Sequence, residues 1–519
     1  MTGRVGRVCV VAIGLLALAP GLAGANVLRV GTYKGMRGSY TTIQAAVNAA
    51  QAGDTILVAP GVYHERADHS GRYSAKGDTE AGAGVWIQTK NIRLRGMDRN
   101  GVVVDGTKSG GSGACSTSKT RQDLGPHGKN GKPLGRNGIE VYKASGVRIE
   151  NLTACNFLKT DDGGNQIWFN FGDGSGKQRA GSFSTSYVSA TDSYYGGQHA
   201  VGSYGIFASN SAGPGRIVHT YASNMQDSDY YVGACRNCNT LISDAHAQYS
   251  ALGYSGTNSG GRLRILNSEW DHNKTGLVSN SQNNDDAPSP ALGWCPNSTS
   301  RSCTVIAGNS FHDNDNPNVP GAGSAAFGPV GTGIVLAGVR GDTVRKNQFV
   351  NNGAWGVVTA PYPDNDKPPP VAHCEGGVKN YLGTFRCYYD DWGNEIIANQ
   401  FTHNGYFGNP SNGDLADLSG DHTPGNCWKA NTDASGTVTS APANLQATHG
   451  TCGARNAGAD LSSDLAAQLI CDTELLGPCD PSTGAYPRTT TIVMPKLERQ
   501  KTMPNPCAGV PANPWCPKN

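Results

Sequence analysis

The chain has 519 residues, with 42 basic against 40 acidic side chains, and only 16 % of its residues are charged. So even a balance leaves no basic stripe to neutralise phosphates, which argues against a nucleic-acid or anionic-membrane protein. The 71 glycines, with abundant asparagine, make a sequence poor in helix formers and rich in turn formers.

The first stretch carries Arg4 and Arg7, an apolar run from Val8 to Leu18, and Ala23-Gly24-Ala25 before Asn26. A basic flank, a short apolar core and a small-residue site predict a secretory signal peptide over residues 1–25, hence an extracellular protein. The run is too short to insert in a membrane, and Pro20 and Gly21 break it early, against a signal anchor. Cys9 would leave with this leader, so 14 of the 15 cysteines remain, an even number that favours a full set of disulfides. Sequence does not dictate connectivity. The simplest pairing joins neighbours: Cys115–Cys155, Cys235–Cys238, Cys295–Cys303, Cys374–Cys387, Cys427–Cys452, Cys471–Cys479 and Cys507–Cys516. Cys235 and Cys238 read as a loop clip, because no helix start precedes them and no second close pair completes a metal site.

After the leader, Ile43, Ala46, Val47 and Ala50 share one face of a predicted helix, with Thr41 or Thr42 as its cap. Gly53-Asp54 ends it, Thr55–Ala59 follows as a strand, and Pro60-Gly61 turns the chain. The passage Tyr40–Glu65, with Ile43-Gln44-Ala45-Ala46-Val47 and Pro60-Gly61-Val62-Tyr63-His64-Glu65, resembles the opening of secreted right-handed parallel β-helix proteins of the pectate-lyase-like superfamily. Pectin methylesterases open with a similar passage. The resemblance implies an all-β stacked coil whose apolar end is covered by the helix. It implies no particular reaction, since a fold does not dictate function.

Short strands continue the coil: Val85–Ile87, Ile92–Gly96, Val102–Gly106, Gly138–Val141 and Val147–Leu152, with a Gly/Ser/Lys-rich excursion over residues 106–135 tied by Cys115. Between 165 and 197 the strand candidates are Ile167-Trp168-Phe169 and Ser186-Tyr187-Val188. From Ser203 to Asn283 a strand–turn–strand–return unit repeats, with equivalent positions at 205, 229, 253 and 276. A period of that size without helices is the mark of a solenoid. Four related returns follow: Trp270 to Asn273, Phe311 to Asn314, Phe349 to Asn352 and Phe401 to Asn404. Stacked coils would pile the aromatics inside and align the asparagines in a ladder at a turn, a structural role that suits an amide with both donor and acceptor. Insertions over 277–332, with Asp285 and Asp286, and over 361–392 interrupt the register. The expected organisation is a leader (1–25), a β-helix with its N-terminal cap (26–410) and a Pro/Gly/Cys-rich, disulfide-held C-terminal cap or tail (411–519) with one amphipathic helix near Ser462–Cys471.

Equivalent residues on successive coils lie about 4.8 Å apart. The turn leaving the third strand therefore gathers Asp227, then Asp271, His272 and Lys274, then His312 and Asp313, with Asp229 adjoining where other coils have glycine. That edge is the first candidate for a site. His272 or Lys274 would be the base that removes a proton next to a uronate carboxylate, with Asp227 and Asp229 completing the catalytic set. Tyr231, Asp271, His312 and Asp313 would contact substrate, Tyr231 as an outward stacking platform. No metal is named by the sequence; Ca²⁺ is the ion that Asp227, Asp229, Asp271 or Asp313 would hold. The resulting expectation is a lyase or C5-epimerase of acidic polysaccharide or cell-wall glycan. The alternative is a non-catalytic surface or matrix protein that binds glycan or a protein. The motifs of polygalacturonases (Gly-His-Gly), pectin methylesterases (Arg-Pro-Trp) and alginate epimerases (Asp-Pro-His) are missing, and Thr160-Asp161-Asp162-Gly163 and Gln226-Asp227 are only partial echoes.

Overall fold

Strands mostly of three to six residues, many joined by single residues in the left-handed region, wind the chain into stacked coils. The computed structural model describes residues 25–67, 81–111, 113–172, 181–281, 303–363, 378–381, 384–455, 464–473, 479–480 and 482–517. The leader up to Gly24, Asp285, Asp286, Cys295 and Cys374 lie outside them. The architecture is a right-handed parallel β-helix with three faces, as the sequence led us to expect. The first face stacks Gly82–Ile87, Arg136–Tyr142, Asn165–Asn170, Tyr204–Ser209, Ser228–Gly233, Leu252–Thr257, Thr275–Asn280, Thr332–Ala337, Trp355–Ala360, Gly413–Asp417 and Ser440–Ala441. The second runs from Val27–Val30 to Cys427–Lys429 and the third from Gly61–Tyr63 to Thr432–Asp433. Both sheets are parallel throughout; Gly215–Ser223 and Thr240–Gln248 each cross from the second face to the third, bending at His219 and Asp244 (φ 55° and 49°).

The equivalent positions 253, 276, 333 and 356 are glycines for a packing reason. A Cβ at Gly253 would lie 2.5 Å from the Gly276 carbonyl oxygen, and one at Gly276 2.5 Å from that of Gly333. Inside, Trp270, Phe311, Phe349 and Phe401 stack with centroids 6.0, 5.2 and 4.9 Å apart. The asparagine ladder is present: Asn273 Nδ2 donates to Asn314 Oδ1, Asn314 to Asn352, and Asn352 to Asn404. A second ladder, Asn309–Asn347–Asn399–Asn431, lines the turn between the second and third faces.

The cap helix spans Ile43–Ala49, buries Ile43, Ala46 and Val47, and starts at Thr42, whose hydroxyl accepts the Ala45 N–H. The buried Glu65 carboxylate accepts the Ile43 and Gln44 N–H groups at its N-terminus, where negative charge is favoured. Among the described residues, five disulfides pair as nearest neighbours: Cys115–Cys155, Cys235–Cys238, Cys427–Cys452, Cys471–Cys479 and Cys507–Cys516.

Three sequence expectations are corrected. Ser186–Val188 is no strand: Phe183–Ser186 and Ser189–Thr191 flank a turn at Tyr187 (φ 53°). The coil does not stop at residue 410, because Gly413–Asp417, Cys427–Lys429, Thr432–Asp433 and Ser440–Ala441 add further parallel pairings. Those strands are too short to show an apolar period. Nor is the region after 411 merely a terminal cap. The helix Asp464–Asp472 packs Leu465, Ala466 and Leu469 on Val335, Val358 and Ala416, the outward residues of the first face at its C-terminal end. Residues 489–517 then run back along the coil from Asn318 to the N-terminal cap. Thr490 N–H reaches Asn318, Pro495 O meets Asn224, Lys501 O meets Arg99, Thr502 meets Asn151, and the Trp515 indole donates to Met36 O beside the cap.

Candidate functional site

The turn between the third and first faces divides the predicted cluster between two surfaces and the interior. On the third face, Asp271 is 2 % exposed and sits at the centre of an imidazole–carboxylate network. It pairs with His246 Nε2 at 2.6 Å and His272 Nδ1 at 2.5 Å, and accepts from Gln248 Nε2 at 2.6 Å. These partners outweigh burial and hold its carboxyl well below the usual range. His312 bridges Glu269 (3.1 Å) and Asp313 (2.8 Å), which raise it to about 9; His272 is also raised, chiefly by Asp271. His246 and Glu269 were absent from the sequence reading. Their signal is the two-residue alternation that places His246 with Gln248 and Glu269 with Asp271 on one outward row.

Asp229 is corrected from a catalytic position to the interior. It has no exposed surface, its Oδ1 accepts the Ser250 hydroxyl at 2.7 Å, and burial pushes its carboxyl well above the usual value. Ser250 takes the next place in the asparagine ladder, its N–H donating to Asn273 Oδ1, so Asp229 finishes that ladder. Lys274 is not beside His272 either: it points to the first-face side, where its ammonium donates to the Ala326 carbonyl in the short 3-10 helix Gly323–Phe327. Among the described residues, Asp227, Asp229, Asp271 and Asp313 do not gather as a ligand set; the three-residue group that does is His246, Glu269 and Asp271.

The first face is built differently. Trp86, Glu140, Trp168, Phe207, Tyr231 and Ser255 occupy one register position on six successive coils, pointing away from the core because Val85, Ile139, Ile167, Ile206 and Tyr230 point into it. Trp168 stacks on Phe207 with centroids 5.4 Å apart and planes 2° from parallel. Tyr204 lies against Phe207 at 4.6 Å, and Tyr231 meets Phe207 edge-on at 4.8 Å. Tyr231 does lie on the outer side, but at 8 % exposed it is largely covered. Trp168 Nε1 donates to Ser209, and Asn170 donates to Glu140.

Asp227 stands at the rim of this row, half-buried, and accepts the Tyr204 hydroxyl at 2.9 Å. Burial pushes it up to about 6, against the hydrogen bonds from Tyr204 and Ser228 and the nearby Lys159 ammonium. The next turn upstream carries His199, which contacts Thr160 O, and is pinned by the buried Asp192 accepting the Tyr194 and Gly202 N–H groups. Sequence reasoning missed Lys159, Tyr204, Trp168 and Phe207 as a group, because the register before residue 203 was not legible. Beyond Ser255 the row is roofed, first by Ala325 against Leu252 and Val278, then by the helix Asp464–Asp472.

No family model matches the chain, and no curated protein matches it in sequence. Among solved structures it is similar to the A-module of a mannuronan C-5 epimerase of Azotobacter vinelandii (13 % identity, 75 % of this chain, 88 % of that one, TM-score 0.37). A mannuronic-acid-specific family 6 polysaccharide lyase from human gut microbiota is comparable (13 %, 78 % and 80 %, TM-score 0.40). So is a family 6 polysaccharide lyase of Pseudopedobacter saltans (12 %, 91 % and 98 %, TM-score 0.38). Likenesses this distant say nothing about the reaction of this chain. Among the described residues no helix is long and apolar enough to cross a membrane.

Proposed function

We propose that this is an extracellular protein that seats a strand of acidic polysaccharide along the N-terminal half of the first face and acts on it at Asp227. The reaction class is β-elimination or C5 epimerisation, which share removal of the proton beside a uronate carboxylate. The observation that carries this reading is the outward row Trp168–Phe207–Tyr231 with the Tyr204–Asp227 pair at its rim. Flat aromatic faces receive the C–H faces of sugar rings, and their polar edges leave hydroxyls satisfied. Lys159 supplies the positive charge that a uronate carboxylate needs as it becomes enolate-like. Asp227 near 6 is suited to a base at neutral pH, drawing the proton directly or through the Tyr204 hydroxyl.

The second reading, glycan binding without chemistry, is favoured by the tied state of Lys274 and His272, the bases expected from sequence. One experiment separates the two. The protein is incubated with a panel of polyuronides, with and without Ca²⁺, following unsaturated products by ultraviolet absorbance and C5 inversion by NMR, with binding measured on the same polymers. Asp227→Asn and Tyr204→Phe should lower kcat about 100-fold or more, and Trp168→Ala should weaken binding about five- to tenfold. Binding without turnover in the wild type establishes the second reading, and loss of neither in any variant sinks both.

A further inference from the structure

On the third face, on the far side of the turn from Asp227, two imidazoles and two carboxylates converge from three successive coils. We propose that His246, Glu269, Asp271 and His312 form a site for one divalent transition-metal ion of the Zn²⁺ class. The parallel register builds it: His246 pairs with Glu269, Gln248 with Asp271, and Asp271 with His312, so the four side chains span three successive coils and one strand alternation. The intervening Ala247, Trp270 and Phe311 have no exposed surface and fix the strands from inside. Ligand atoms of His246, Glu269 and Asp271 all lie within 4.8 Å of one another. His246 Nε2 is 2.6 Å from Asp271 Oδ1 and 3.9 Å from Glu269 Oε2, and His312 Nε2 is 3.1 Å from Glu269 Oε1. Ligand atoms of a tetrahedral ion with bonds of about 2.0–2.2 Å stand about 3.3–3.6 Å apart; His246, Glu269 and Asp271 lie close to that spacing, and His312, which meets the group through Glu269, would turn inward to complete it.

The surrounding groups orient the donors as metal sites require. Asp313 Oδ2 takes His312 Nδ1 at 2.8 Å, turning Nε2 toward Glu269. Gln248 Nε2 and His272 Nδ1 both engage Asp271 Oδ2, leaving Oδ1 toward His246. Two nitrogen donors select a borderline ion such as Zn²⁺ over Ca²⁺, which takes six to eight oxygens. An ion here would clamp three coils together and is separate from the first-face row.

The test uses the untagged mature chain, stripped with chelator, then titrated calorimetrically with ZnCl₂, with CoCl₂ followed by visible absorption and CaCl₂ as comparison. Expected are one saturable Zn²⁺ equivalent, four-coordinate Co²⁺ bands, and a thermal midpoint raised by Zn²⁺. His246→Ala and His312→Ala should each weaken binding about tenfold or more, Asp313→Ala about tenfold, and His403→Ala should leave it unchanged. Circular dichroism verifies folding, and His246→Gln substitutes for a variant that does not fold. No saturable binding, binding retained in the double His246→Ala/His312→Ala variant, or preference for Ca²⁺ overturns the proposal.

Discussion

Thr502 and Asn151, 351 positions apart in the chain, are joined by a 2.8 Å hydrogen bond in which the Thr502 hydroxyl donates to Asn151 Oδ1. The Met503 N–H donates to the same oxygen. Asn151 is a left-handed turn residue (φ 58°), so the returning C-terminal segment reads the corner of the coil rather than a sheet edge. The buried Arg99 guanidinium is committed to the same junction, donating to Lys501 O, His219 O, Val188 O and Ser189 Oγ.

Removing residues 489–519 should therefore lower the thermal midpoint markedly, since each lost hydrogen bond is worth about 1 kcal/mol and leaves polar corners such as Asn151 to water. Thr502→Val alone should cost about 1 kcal/mol in urea denaturation. A truncated protein as stable as the full chain would show the segment to be decoration.

Phe349 sits between Phe311 and Phe401 in the interior stack. Phe349→Ala should cost about 3–5 kcal/mol through lost burial and the cavity left behind. Asn314→Ala, which orphans Trp270 O and breaks the ladder to Asn352, should cost about 1–3 kcal/mol. Chemical denaturation of both variants checks the two figures.

Asp229 is an acid whose folded pKa lies well above its unfolded value. The folded state therefore holds the proton more tightly, and this carboxyl favours folding in acid and opposes it as pH rises above about 4. Asp229→Asn should unfold later than the wild type at neutral pH and lose that advantage in acid. Thermal midpoints from pH 4 to pH 8 test it; a midpoint lowered at every pH by Asp229→Asn would contradict a neutral carboxyl there.

His312 has the opposite sign. With a folded value near 9 against an ordinary 6.5, its pairing with Glu269 and Asp313, assisted by Asp271 and opposed by burial, stabilises the fold fully below about 6.5. That contribution is lost as pH rises through about 9. In chelator-containing buffer the wild type should lose stability across that interval and His312→Gln should not. Parallel pH profiles for the two proteins would refute the assignment.

The asparagines and aromatics of the four returns were legible as ladder and stack, because in each return the asparagine stands three places after the aromatic. Asp227, Asp271, His272, Lys274, His312 and Asp313 were legible as occupants of one edge from their equivalent places on successive coils. Which side of that edge each side chain takes was not. A single left-handed residue, His272 at φ 55°, sends Asp271 to the third face while Lys274 turns to the first, a rotation that spacing alone does not encode. Trp168, Phe207 and Lys159 were not legible as one group because the turn at Tyr187 breaks the apolar pattern that would carry the register from Trp168 to Phe207.

The sequence by itself determined the solenoid and its helical cap, since periodic burial and local spacing are properties of short stretches; the nearest-neighbour cysteine pairing it only suggested, and the structure decided it for the five bridges described. Only the tertiary structure decided that Asp229 is interior, that His246 and Glu269 join Asp271, and that residues 489–517 return along the coil. Those contacts join residues through the stacking of coils or across hundreds of positions, where backbone turns and not residue spacing set which atoms meet.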